Sequence, residues 1–250
     1  MLKTIKLMEN TFYQESETKK KLIKFIKSAK KLSMGKKVIE FEAKFSKIIT
    51  HKYTTMVNSG SSANLTLIQS LKNLNLLKQN DNVAVSSLTW STTIMPLLQL
   101  NLNPIPIDIS LESFNCSSSI FLRTIKKHNI KAFFITNAMG FSDDIDEIKK
   151  ICKKKNIILI EDNCESLGSE YKNKKLGSFG LASTHSFFVG HHISSIEGGT
   201  ISTSSKKLSD MTKLVRAHGW SRNLDKKTIK KYSNKFKTDK FYEPYTFYDL

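Results

Sequence analysis

Three short segments of this chain hold side chains whose types and spacing could do chemistry. The first is Val57, Asn58, Ser59, Gly60, Ser61, Ser62, a small-residue turn set before an apolar stripe that begins at Leu65. A turn of this kind feeding a helix N-terminus offers free backbone N–H groups, hydroxyl donors and the positive end of the helix dipole, which together suit a phosphate. The same composition also serves as an ordinary helix cap. It is not a P-loop, because no Gly-Lys-Ser/Thr follows, and no GxGxxG accompanies it. The second segment is Glu161, Asp162, Asn163, Cys164, Glu165, directly after the apolar run 157–160. Carboxylates at the carboxyl end of a buried strand sit where open α/β sheets bind ligands. The competing use of Asp162 is to cap the next turn. The third runs from Ser183 through His185, Ser186, Phe187 and Phe188 to His191 and His192, followed by Glu197, Gly198 and Gly199. Adjacent histidines on a strand point to opposite faces, and no other ligand lies at a usual interval, so no metal site is expected.

These segments need a scaffold, and the hydrophobic pattern supplies one. Val38, Phe41, Phe45, Ile48 and Ile49 recur at helical spacing, as do Leu65, Ile68, Leu71 and Leu74. Short β-branched or apolar runs predict strands at 54–57, 83–86, 105–109, 132–136, 157–161, 184–188 and 199–203. Helices are predicted between them at 62–77, 92–100, 117–127, 145–155 and 206–217. Strand and helix alternating at this spacing predicts an α/β layer fold with a mostly parallel sheet.

Composition narrows the function classes. With 250 residues and 39% apolar side chains the chain can bury a sizeable core, which excludes a disordered or fibrous protein. The net charge of +18 is almost wholly lysine, since Arg123, Arg216 and Arg222 are the only arginines. Nucleic-acid readers lean more on arginine, so a solvated helical face explains the excess more simply than a nucleic-acid stripe. Cys116, Cys152 and Cys164 form no CxxC pair, which argues against a disulfide framework or a zinc site and fits a reducing cytoplasm. No run approaches a membrane span, and the charged N-terminus is unlike a signal peptide.

Together the three segments become specific. NSGSSANL, then EDNCESLGSEYKNKKLGSFG, then HSFFVGHHISSIEGGTIST resemble the pyridoxal-phosphate sugar aminotransferases of the DegT/DnrJ/EryC1/StrS group, from about Gly35 to the end of the chain. The resemblance implies a fold-type-I large domain over 35–250 with a seven-stranded mixed sheet, preceded by a helical segment at 1–34. It also implies a homodimer with shared active sites, pyridoxal or pyridoxamine 5'-phosphate as cofactor, and nucleotide-linked 4-keto sugars as substrates. A smaller C-terminal domain follows in the family, and it is expected to lie outside these 250 residues. The aromatic end KFYEPYTFYDL, which has no capping pattern, is accordingly expected to be a cut.

Carried over by position, Gly60, Ser61 and Ser186 would hold the cofactor phosphate, and Asp162 would pair with the pyridine nitrogen. An aspartate there keeps the ring protonated and able to draw off electrons. Trp90, in SSLTWSTT, stands where an aromatic side chain stacks on the ring; its alternative use is core packing.

One departure redirects the reading. Six residues before Glu197, where the family's aminotransferases have the lysine that links the cofactor covalently, this chain has His191, and no lysine occurs from Leu176 to Ser205. Histidine cannot make that link but is a competent base near neutral pH. The combination resembles the family's sugar 3-dehydratases. Glu165, acidic where aminotransferases usually have glutamine or histidine, and RAHGWSRN, with His218 and Arg222 as substrate-binding residues, point to the branch acting on GDP-4-keto-6-deoxymannose. No cysteine follows Cys164, which disfavours the iron–sulfur type of dehydratase. The expected activity is removal of the C3 hydroxyl from a nucleotide-linked 4-keto-6-deoxyhexose, with His191 as base, then acid, and glutamate as amino donor. The alternatives are an aminotransferase, an inactive relative, or a basic nucleic-acid-binding protein built on the same fold.

Overall fold

The computed structural model describes residues 10–237. Along the chain the elements are α1 (Glu15–Ser28), α2 (Lys36–Ile48), β1 (Tyr53–Val57), α3 (Gly60–Asn73), β2 (Asn82–Ser86), α4 (Ser91–Gln99) and β3 (Asn103–Ile107). They continue as α5 (Ser118–Lys127), β4 (Ile130–Thr136), α6 (Ile145–Lys155), β5 (Ile158–Asp162), the short hairpin β6 (Glu170–Tyr171) and β7 (Lys174–Lys175), β8 (Ala182–Ser186), β9 (Gly199–Thr203), α7 (Lys206–Arg216) and α8 (Lys226–Phe236). Seven strands form one sheet in the order β1-β9-β8-β5-β4-β2-β3. Only β9 runs against its neighbours. The connections from β1 to β2, β2 to β3, β3 to β4 and β4 to β5 each carry a helix, whereas β5 reaches its parallel neighbour β8 through the segment that holds the β6–β7 hairpin.

Each face of the sheet is sealed by a separate apolar cluster. Leu67, Ile68 and Leu71 of α3, Leu97 of α4 and Leu208 of α7 cover Val83, Val85, Phe134, Ile160 and Ile201. On the other face Phe121 of α5 and Ile145, Ile148 and Cys152 of α6 cover Ala84, Ile107, Phe133 and Leu159. Phe121 stacks on Phe133 with ring centroids 4.8 Å apart. Each such fully buried side chain contributes about 1.5–3 kcal/mol of transfer free energy, so the sheet is a rigid base for the loops at its edge.

Several expectations are corrected. The strand predicted over 184–188 is displaced to Ala182–Ser186: Phe187 N still donates to Gly198 O at 2.8 Å in the β8–β9 register, but Phe187 O accepts from Ser195 N and Phe188 N donates to Ser186 Oγ, so the chain turns away after Phe187. His191 and His192 therefore lie in a turn, closed by His191 N on Phe188 O at 2.9 Å, and not on a strand. The third strand is displaced to Asn103–Ile107 and carries Pro104 and Pro106, which an edge strand tolerates. Leu65 and Ile48 face solvent. The β6–β7 hairpin and α8 were not predicted. The KFYEPYTFYDL segment and the first nine residues lie outside the described residues.

Candidate active site

The C-terminal ends of β1, β5 and β8 and the N-terminal end of the reversed β9 meet at one edge of the sheet. Register fixes this: Gly199 pairs with Val57 on one side and with Ser186 on the other, and Asp162 pairs with Thr184. After Val57 only Asn58 and Ser59 intervene before α3 begins at Gly60. Ser59 caps the helix, its Oγ accepting from Ser62 N at 3.0 Å. The turn is packed too tightly for side chains. A Cβ on Gly199 would stand 2.2 Å from Ser59 O, and one on Gly60 would stand 2.7 Å from Ser186 Cβ and 2.9 Å from Cys164 Sγ. The two glycines thus let the N-terminus of α3 settle directly against Ser186 and Cys164. Burial, with Asp162 nearby, pushes the Cys164 thiol well up, so it stays neutral beside the turn.

Asp162 closes β5 and is buried. Its Oδ2 accepts from Asn64 Nδ2 at 2.9 Å and Thr93 Oγ1 at 2.7 Å, and its Oδ1 from Cys164 N at 3.1 Å. The last of these is the local turn expected of an aspartate here, so Asp162 caps the next segment while holding its carboxylate at the cleft. Its neighbour Glu161 points to the other face and is fully buried. Burial raises its pKa, against the pull of backbone N–H groups of Gly177, Phe179 and Gly180, each donating at 2.7 Å. Glu161 is therefore an anchor for the 177–180 loop and not part of the cleft.

His191 is half-buried in the turn after β8. Burial pushes its imidazole down, Glu165 pulls it up, His192 pushes it down and Asp162 pulls it up. Glu165 is held in turn by Met139 N, which donates to its Oε2 at 3.0 Å. Trp90 is 69% exposed at the N-cap of α4, so it is not packed in the core and its ring is available. Ser61 is exposed at the first turn of α3. Among the described residues no group of three or more His, Cys, Asp or Glu could hold a metal ion.

Two predicted residues are not drawn in. Arg222 lays its guanidinium on the Trp220 ring at 3.8 Å, and His218 is exposed in a left-handed turn. No hydrogen bond or ion pair among the described residues ties either to Gly60, Asp162, Ser186 or His191. Arg216, at the head of the same segment, is structural: Nη1 donates to Glu42 Oε1 at 2.8 Å and Met56 O at 2.7 Å. A groove of about 790 Å³ lies along the outer side of α3, lined by Met34, Val38, Met56, Leu65, Gln69 and Val215. It excludes Asp162, Ser186 and His191, so the cleft is defined by its chemistry and not by that volume. Sequence reasoning missed Asn64 and Thr93. The available signal was a polar side chain one helical turn after Gly60 and another three residues after Trp90.

A mixed sheet in this order, with a glycine-serine helix N-terminus and an aspartate at its carboxyl edge, defines the large domain of the aminotransferase fold. The chain belongs to the DegT/DnrJ/EryC1/StrS aminotransferase family, whose model matches residues 13–241. It is similar to the GDP-4-keto-6-deoxy-D-mannose 3-dehydratase of Escherichia coli O55:H7, 38% identical over 91% of this chain and 58% of that protein. Among solved structures it is similar to a GDP-4-keto-6-deoxymannose-3-dehydratase variant with bound GDP-perosamine (TM-score 0.88, 35% identity, 99% of this chain and 63% of that one). It is also similar to a GDP-4-keto-6-deoxymannose-3-dehydratase with a trapped PLP-glutamate geminal diamine (TM-score 0.81, 36% identity, 89% of this chain and 57% of that one). The chain therefore spans about three-fifths of the length of these relatives. Among the described residues no helix is long and apolar enough to cross a membrane.

Proposed function

We propose that this chain is the large domain of a coenzyme-B6-dependent 3-dehydratase that removes the C3 hydroxyl of a GDP-linked 4-keto-6-deoxyhexose. The observation that carries the reading is His191, a half-buried imidazole in the fields of Glu165 and Asp162, within a stretch from Leu176 to Ser205 that has no lysine. The similarity to two 3-dehydratase structures, one with a GDP-sugar and one with a glutamate adduct, supports GDP-linked substrate and glutamate as amino donor.

The residues present fit pyridoxamine phosphate. The missing Cβ at residue 60 lets the N-terminus of α3 close directly on Ser186 and Cys164, and a phosphate bound at that N-terminus would meet its free N–H groups. Gly60, Ser61 and Ser186 would hold the phosphate, Asp162 the ring nitrogen and Trp90 the ring face. Glu165 would lie on the His191 side. When bound, the cofactor supplies an amine that condenses with the C4 ketone and a conjugated ring that accepts electrons. Burial keeps His191 neutral near pH 7, as a base must be. With the cofactor bound, His191 would serve as the base at the carbon bearing that amine and, once an imidazolium, as the acid that protonates the departing C3 hydroxyl. Arg222 and His218 would reach substrate only if the sugar nucleotide extends over the α7–α8 connection. Exposed apolar side chains in the His191 turn, Phe188, Ile193 and Ile196, support a second copy of the chain covering the cleft. The three unpaired cysteines support a reducing, cytoplasmic setting.

The test is mass spectrometry of the product that the full-length protein makes from GDP-4-keto-6-deoxymannose with pyridoxal phosphate and glutamate. Loss of one oxygen with no nitrogen gained is expected, and His191→Lys should abolish it. Conversion of the ketone to an amine by the unaltered protein would refute the dehydratase reading in favour of an aminotransferase.

A further inference from the structure

Asp162 ties the turn that opens α3, the helix that follows Trp90 and the central strand β5 together. Asn64 lies one helical turn beyond Gly60 on α3, and Thr93 lies one turn into α4 from Trp90; both donate to the same carboxylate oxygen, Oδ2. Neither donor can be replaced from its surroundings. The two hydrogens of Asn64 Nδ2 are spent on Asp162 Oδ2 and on Thr92 O at 3.1 Å. Thr93 is fully buried, so no bulk solvent reaches its place. A carboxylate has about four acceptor sites. Two side-chain donors saturate Oδ2, whereas Oδ1 takes Cys164 N, and the Cys164 thiol also hydrogen-bonds this carboxylate.

We propose that Thr93 and Asn64 are positioning residues: they fix the rotation of the Asp162 carboxylate so that Oδ1, and not Oδ2, is the oxygen presented to the cofactor ring nitrogen. The inference rests on the function proposed above and deepens it. Its physical basis is orientation. A carboxylate on a lone Cα–Cβ axis samples rotamers, whereas one clamped from two helices offers Oδ1 along one direction, and pre-orientation of this kind is retained as binding free energy. The clamp also ties the spacing between the phosphate turn and Trp90 to the position of the ring, because both helices end their first turn on the same oxygen.

The experiment compares Thr93→Val, which keeps shape and removes the hydroxyl, with Thr93→Ser, which keeps the hydroxyl and removes a methyl. Dissociation constants of pyridoxal phosphate are measured on the full-length protein by equilibrium dialysis, beside melting curves and the kcat and KM for the sugar nucleotide. Thr93→Val should weaken cofactor binding about tenfold, with the KM for the sugar nucleotide unchanged at saturating cofactor, while Thr93→Ser binds within about threefold of the unaltered protein. A crystal structure of the loaded protein should place the ring nitrogen nearer Oδ1 than Oδ2. Equal cofactor affinity in Thr93→Val and the unaltered protein would overturn the positioning role. So would a Thr93→Ser variant as impaired as Thr93→Val, since that would make the effect one of packing. Failure of the unaltered protein to bind pyridoxal phosphate would instead overturn the reading of the site itself.

Discussion

Acid should destabilise this protein through a histidine that takes no part in the proposed chemistry. His185 lies in β8 between Thr184 and Ser186, its side chain on the face away from the cleft, edge-on to Phe45 with ring centroids 5.1 Å apart. It is buried, and neither ring nitrogen has a partner among the described residues. Burial drives its pKa down to about 3, with smaller contributions from His51 and His192. In the unfolded chain the group titrates near its ordinary value of about 6.5. Between those values the unfolded chain binds a proton that the native state refuses, so stability is full above about pH 6.5 and falls as pH drops toward 3. The slope is about 1.4 kcal/mol per pH unit, which gives about 2 kcal/mol lost between pH 7 and pH 5 from this one group. His51 adds in the same direction, because burial lowers it despite its bond to the Gly177 carbonyl at 2.9 Å. The assay is urea unfolding at pH 7 and pH 5 of the unaltered protein and of His185→Phe, which retains a ring against Phe45. Carboxylates titrate alike in both proteins, so the difference between the two pH dependences isolates His185. The variant should lose about 2 kcal/mol less than the unaltered protein on acidification. Identical pH dependences would refute the assignment, whatever the stability of the variant at pH 7.

Gly199→Ala should cost at least about 2–3 kcal/mol, since its Cβ would meet the Ser59 carbonyl oxygen at 2.2 Å and backbone cannot swing aside as a side chain can. Urea midpoints check this, and a loss under 1 kcal/mol would mean that the β9 end and the Ser59–Gly60 turn are not in contact. Arg216→Met should destabilise by about 3 kcal/mol, because it leaves Glu42, a mostly buried carboxylate, without its cation and Met56 O without its donor. The same unfolding measurement tests it, and Glu42→Gln combined with Arg216→Met should recover part of the loss.

The elements legible in the sequence are those whose signal is local. The helix over Ile145–Lys155 carries its own stripe, Ile145, Ile148 and Cys152, its own acidic first turn and basic last turn, and an Asn156 stop in the left-handed conformation, so its predicted and observed limits agree. The strand Gly199–Thr203 agrees as well. Where a second segment decides the outcome, the pattern misleads. Phe187 and Phe188 extend an apolar run, yet the strand goes no further: the ring of Phe187 packs on Phe41 and Phe45 of α2 at 5.2 Å each, and its carbonyl turns to accept from Ser195 N. The helix α8 is lysine-rich, and its short apolar stripe, Ile229 and Tyr232, finds its cover outside the helix, on Met211, Leu214 and Leu224. It is fixed by Asp225, which accepts from Thr228 N and pairs with Lys206 at 2.7 Å, a partner 19 residues away.

The same division runs through the site. Gly60, Asp162, Ser186 and His191 stand in short segments whose composition already suggests phosphate binding, a strand-end carboxylate and a base, and the sheet brings the first three to one edge. What no local pattern contains is the second layer. Asn64 and Thr93 are separated from Asp162 by 98 and 69 residues, and each reads alone as a polar intruder in an amphipathic helix. Gly199 likewise reads as the start of a strand until Ser59 is set against it. A helix tolerates a buried asparagine only where some partner meets it, because an unpaired buried amide costs about 1–3 kcal/mol. A polar residue on the core side of a predicted helix is therefore itself a signal that the helix meets a buried polar partner, even when the sequence does not say which group that is. In this chain α3 and α4, which open at Gly60 and Trp90, bear that signal and meet the carboxylate of Asp162, and α7 bears it as well, with buried Thr212 meeting Thr55 of β1.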